Sequence, residues 1–147
     1  MATSKIVASL EQQVAKQSPN YGSLQVAKAI YNFAVDGGAV STITPRVTAS
    51  LPNNAVIVGG TINSTTALTS DGSATLAVGT SAGSSTTAIL GATAKASLSI
   101  DARINAVPVF ATPVKLTAAG NITVTIATAA ATAGVVEVTL FYFVANA

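Results

Sequence analysis

The run at residues 135–144 constrains the fold of this chain more than any other stretch. Val136, Val138, Leu140, Tyr142 and Val144 fall on one side of an extended strand. Val135, Glu137, Thr139, Phe141 and Phe143 fall on the other, because successive side chains of a strand point to opposite faces. Both sides become apolar toward the end, which predicts a central or two-sided strand. Such a strand needs partners, and the chain supplies them. Ile122, Val124 and Ile126 alternate with Thr123 and Thr125, and Leu76 and Val78 are set in a similar run at 73–79. Small and β-branched side chains dominate throughout and suit a pleated sheet.

Read in order, residues 3–17 predict a helix. Ile6, Val7, Leu10 and Val14 share one face at helical spacing, and Thr3 or Ser4 can cap it. Ser18-Pro19-Asn20-Tyr21-Gly22 stops it, since the residue before proline avoids the α region. This helix is marginal alone and needs a surface: its own β-domain, a sister subunit or a partner. Residues 26–35 then alternate, Asp36-Gly37-Gly38 is a turn signal, and a second run starts at Val40. Together they predict a hairpin that opens a β-domain, with Tyr31, Phe33 and Val35 buried against the aromatics of the last strand. Pro45 makes 40–51 an edge strand or a bulged one.

Leu51-Pro52-Asn53-Asn54 is a turn, and 55–63 is a strand with a bulge or bend at Gly59-Gly60. Residues 64–71 read as a polar connection closed by Asp71-Gly72. After the strand at 73–79 comes a Ser/Gly/Thr loop at 80–87. Residues 88–100 are ambiguous: a short strand at Ile89-Leu90, then an extended run through Leu98 and Ile100. Residues 129–133 read as a loop before Gly134. The division is therefore an N-terminal helical arm and linker at 1–23 and one β-domain at 24–147. The fold class is all-β, an antiparallel sandwich or barrel of about eight strands.

Charged residues make up 8% of the chain and net charge is +2, against about 25% charged residues in ordinary soluble domains. So little charge favours a surface covered in an assembly. There is no Cys and no His, which excludes disulfides, the usual zinc sites and the common base–nucleophile pairs. Asp36 and Asp71 belong to turns, and Glu11 to the arm. Asp101 is expected to pair with Arg103 on one strand face, and Glu137 has no carboxylate near it in sequence. The Gly59-Gly60 and Gly79/Gly83 clusters lack the ending of a phosphate-binding loop. The expectation is no enzyme, cofactor or metal. Lys5, Lys16 and Lys28 are scattered and Trp is absent, which argues against nucleic acid. No stretch reaches about 20 predominantly apolar residues, so no membrane helix is expected. Glu11, Gln12 and Gln13 interrupt any signal-peptide core.

Several segments resemble a known family. They are residues 31–42, Gly59-Gly60-Thr61-Ile62, the runs 74–79 and 121–127, and the closing run 136–144. The family is the capsid cement, or decoration, proteins of tailed bacteriophages. The resemblance implies a jelly-roll body, a homo-oligomer (trimers favoured), and a place on the outside of the head after assembly in the host cytoplasm. It implies the major capsid protein as partner. It makes the arm an anchor or inter-subunit strap, with Ile6, Val7, Leu10, Val14 and Tyr21 as candidate contacts. A competing reading is a tail-fibre or receptor-binding β-module for host glycans. Its stacking platforms would be Tyr21, Phe110 and Tyr31.

Overall fold

A computed structural model describes residues 23–145. The predicted helix at 3–17, with Ile6, Val7, Leu10 and Val14, lies outside the described residues, as does Tyr21. The described chain runs β1 (Gln25–Asn32), α1 (Phe33–Asp36), β2 (Ser41–Ile43), β3 (Val47–Thr48), β4 (Ser50–Leu51) and β5 (Ala55–Thr69). It continues through β6 (Thr75–Thr80), β7 (Leu90–Ala94), a 3₁₀ turn (Lys95–Ser97), β8 (Ala102–Asn105), β9 (Val114–Lys115), β10 (Gly120–Ala127) and β11 (Ala133–Val144).

The strands form two antiparallel sheets. Sheet one has the order β3-β1-β11-β5-β8, with β9 also on β5; sheet two has the order β2-β10-β6-β7, with β4 also on β10. The last strand is central as its sequence predicts, with β1 on one edge and β5 on the other. Its even-numbered side chains are buried between the sheets. There they join Ile57 and Ile62 of β5, Leu76 and Val78 of β6, and Ile122, Val124 and Ile126 of β10 in one core. β1 contributes Ala27, Ala29 and Tyr31.

The predicted hairpin at 31–43 is not formed. The Asn32 side chain accepts from the Ala34 N–H at 3.0 Å, and Asp36 Oδ2 accepts from the Asn32 N–H at 2.9 Å. These reciprocal caps satisfy two backbone donors at the N-terminal end of one helical turn, α1, in place of a strand turn. Asp36 Oδ1 also accepts from the Arg46 N–H at 2.8 Å. Gly37, at φ 80°, then sends the chain across to the other sheet, where β2 pairs with β10 rather than β1. Pro45 divides the following run, as expected of an edge. β2 ends one sheet, β3 returns to the edge of the other beside β1, and β4 crosses back.

Tyr31 is buried opposite Val136, and Phe33 is half-buried against the core, but Val35 is exposed. The predicted packing of all three on the last strand's aromatics is thus corrected. β1 runs antiparallel to β11, which puts Tyr31 at the opposite end from Phe141 and Tyr142.

β5 is longer than the sequence suggests, because 64–69 continues the strand. Ser64 is buried without cost to the sheet because its hydroxyl donates to Leu98 O at 3.1 Å and Thr66 O at 3.0 Å. The expected irregularity at Gly59-Gly60 is present. Phe141 and Tyr142 face Gly59 and Ile57, which leaves Val58 as the extra residue of a bulge. Two more register shifts lie near the start of β11. The ambiguous 88–100 resolves into β7 and the 3₁₀ turn, which presents Leu98 to the core.

Candidate interaction surface

The two outer faces of the sandwich differ. That of sheet two is partly covered by the protein itself. A Cβ on Gly79 would lie 2.1 Å from the Thr86 carbonyl carbon, so loop 81–89 packs directly on the β6 backbone. Thr123, paired with Gly79, is buried on that side. Ile89 anchors the loop with its N–H on Val78 O at 3.0 Å.

The outer face of sheet one has no such cover among the described residues. Register places Val47, Ile30, Glu137, Asn63 and Arg103 in one row across it. Lys28, Thr139, Thr61 and Asn105 form the next row, and Val26, Phe141 and Gly59 a third. Val26, Val47 and Phe141 are exposed, as is Leu24 just before β1. Ile30, Val135 and Phe143 are half-buried. A hollow of about 70 Å³ lies between Lys28, Ile30, Glu137 and Thr139. The face is apolar at its margins with a few charges in the middle.

A second apolar feature is the connection between β8 and β9. Val109 and Thr112 bridge, and this tight reversal presents Phe110 at 75% exposure, with Val107 also exposed. Phe110 is thus available for a contact, whereas Tyr31, which the glycan-binding reading counted as a platform, is buried in the core.

The charged groups serve the fold or stand apart. Asp36 holds two backbone N–H groups. The strand-face arrangement expected for Asp101 and Arg103 is lost, because Asp101 adopts φ 62° before β8 begins and donates its N–H to Ser64 O at 2.7 Å. Lys95 Nζ donates to Ser70 O at 2.7 Å beside an open groove of about 410 Å³ lined by Leu68 and Ser99. Among the described residues no three His, Cys, Asp or Glu side chains group as metal ligands would. The Tyr31 hydroxyl donates to Gly37 O at 2.8 Å, and its pKa is pushed up to about 12, by burial first and by the Asp36 charge second. None of these arrangements pairs a nucleophile with a base.

No protein-family model matches the chain, and no curated protein matches it. Its fold defines a class nonetheless: a two-layered antiparallel sandwich with the last strand at the centre of one sheet, paired with the first. Among solved structures, that of the acid-stable capsid of Helicobacter pylori bacteriophage KHP30 contains a chain similar at TM-score 0.60 and 13% identity, over 86% of this chain and 91% of that one. A chain of the cyanophage Pam1 capsid is similar at TM-score 0.60 and 23% identity, with the same coverage of 86% and 91%. A chain of the Ralstonia phage GP4 capsid is similar at TM-score 0.56 and 18% identity, over 88% and 89%. At these identities the likeness is one of fold.

Proposed function

We propose that this chain is a structural protein of a bacteriophage head. It is a cement protein that binds the outside of the shell as a homo-oligomer, with a trimer favoured, and bridges neighbouring major capsid subunits. One observation carries the reading. Three phage-capsid chains share the fold over nearly their whole length as well as that of this chain. The strand order supports a jelly roll. With β2 and β4 taken together, β8 with β9, and the two-residue edge strand β3 beside β1 left aside, eight strands run 1-8-3-6 in one sheet and 2-7-4-5 in the other. The chemistry supports a structural role. A cement protein needs a stiff body and contact surfaces, not a nucleophile. Weak contacts at several points on a shell combine through effective concentration. Phe110 and the outer face of sheet one supply apolar surface for such contacts.

The test is to add purified protein to heads that lack it and image them. Light scattering of the free protein should give about three times the chain mass, and density should appear on the head exterior between capsomers. A monomer at micromolar concentration removes the oligomer from the proposal. Gold label on tails, with hits on a glycan array, overturns the reading in favour of a receptor-binding module.

A further inference from the structure

We infer that Phe110 of one copy seats in the groove beside Leu68 and Lys95 of a second copy, so that the β8–β9 connection is a knob for contact between copies. The inference rests on the homo-oligomer reading above and supplies a contact for it.

The knob is held in place by its own loop. Phe110 stands in a tight reversal and is the most exposed large hydrophobic side chain among the described residues. The reversal is closed by the Thr112 N–H on Val109 O at 3.0 Å and the Val109 N–H on Thr112 O at 3.4 Å. Pro108 and Pro113 flank it and fix the backbone on either side. A side chain held out in advance loses little freedom when it is covered, and covering an aromatic ring removes a large apolar area from water.

The groove is a matching seat. It is open, about 410 Å³ in volume, and lined by Ala67, Leu68, Ala96 and Ser99 together with Ser70 and Lys95. The Lys95 ammonium is held by Ser70 O at 2.7 Å. A cation fixed on a largely apolar wall favours an aromatic ring over an aliphatic side chain. Phe110 cannot reach the groove of its own chain. The Ala106 N–H donates to Gly60 O and Val114 pairs with Ile57, so loop 107–113 lies beside 58–59 of β5, whereas the groove lies beside 67–70. From Gly60 to Ala67 along β5 is about 23 Å. Arg103 and Asn105 are exposed between the two, so this flank of the sandwich carries two separate apolar spots. Ile100, next to Ser99, widens the groove spot, and Val107 and Val109 widen the knob spot; all three are exposed. A projection and a seat at different places on one chain let copies join one another. With 8% charged residues and a net charge of +2, the chain offers little repulsion against it.

The chain has no Cys, and Ala96 and Ala111 are both exposed, so a pair introduced there is unambiguous and leaves Phe110 in place. Full-length protein carrying A111C with A96C is treated with a short bismaleimide and run on a denaturing gel. The expected product is two or more chains joined covalently. The pair A111C with S41C, on β2 at the opposite flank of the sandwich, should stay at the mass of one chain. In a second measurement, F110A should weaken self-association about ten- to a hundredfold by sedimentation. Its circular dichroism should not change, because Phe110 lies outside its own chain's core. Equal joining by both Cys pairs, joining by neither, or an F110A variant that associates as the wild type does would overturn the inference. Light scattering of the wild type separates the two readings. An oligomer that gives no link between the A111C and A96C positions removes this contact and leaves the homo-oligomer standing, whereas a monomer removes both.

Discussion

Replacing Tyr31 with Phe deletes one oxygen from the core and leaves the ring in place. The lost hydrogen bond to Gly37 O is 2.8 Å long, and such a bond contributes about 1 kcal/mol net. Gly37 is exposed, so water can reach its carbonyl and the loss should not exceed that figure by much. At pH 7 the variant should therefore be less stable by about 1 kcal/mol, or about 2–4 °C in Tm for a domain of this size. Alkaline pH gives the opposite trend. In the unfolded chain the phenol ionises near 10.0, and in the folded protein only near 12. This contribution is fully present below pH 10 and is lost as pH rises through the folded value, because the unfolded chain releases its proton first. At about pH 11 the wild type has lost up to about 1.4 kcal/mol on this account. Y31F has nothing to lose there, so its deficit should shrink to zero or reverse. Urea unfolding followed by circular dichroism at pH 7, 9 and 11 measures both effects. A gap that stays constant to pH 11 would refute the buried, hydrogen-bonded phenol.

Two further substitutions probe the sandwich. G79A puts a methyl group into the backbone of Ser85 and Thr86, which cannot yield as a side-chain tip could; the loss should be about 3 kcal/mol by thermal melting, with loop 81–89 newly open to proteolysis. L140A should cost about 3–5 kcal/mol and T139A, one residue earlier on the outer face, under about 0.5 kcal/mol by the same assay. Similar losses at both positions would mean that the register of β11 is wrong.

Much of the fold could be read from periodicity. The last strand declared its burial and its central place, because one alternating set is wholly apolar and the other becomes apolar toward its end. β6 and β10 were visible for the same reason. Gly59-Gly60 marked a bulge because close cross-strand approach demands a missing side chain; a Cβ on Gly60 would sit 2.4 Å from Thr139 O. What escaped was long-range. Asp36-Gly37-Gly38 has the local chemistry of a hairpin, and only the caps at Asn32 and Asp36, with the bond from Arg46, turn it into a crossover. The polar run after Asn63 reads as loop because its buried hydroxyl finds an acceptor 34 residues away, at Leu98. The candidate surface was half legible. The odd-numbered face of the last strand was evident, but β1 and β5 as its flanks, and hence the extent of the patch, follow from strand order. Phe110 carries no periodic signal at all.

The antiparallel register of β1 and β11 has a mechanical consequence. Gln25 lies opposite Tyr142 and Asn32 opposite Val135, so β1 begins beside the end of β11. Tension applied between those two adjacent ends peels the ladder open one pair at a time. Tension applied between the Asn32 end of β1 and the Val144 end of β11 loads all eight pairs in shear at once. The same hydrogen bonds are weak as a zipper and strong as a lap joint. Under tension the body holds best when these two strands are gripped at opposite ends of sheet one.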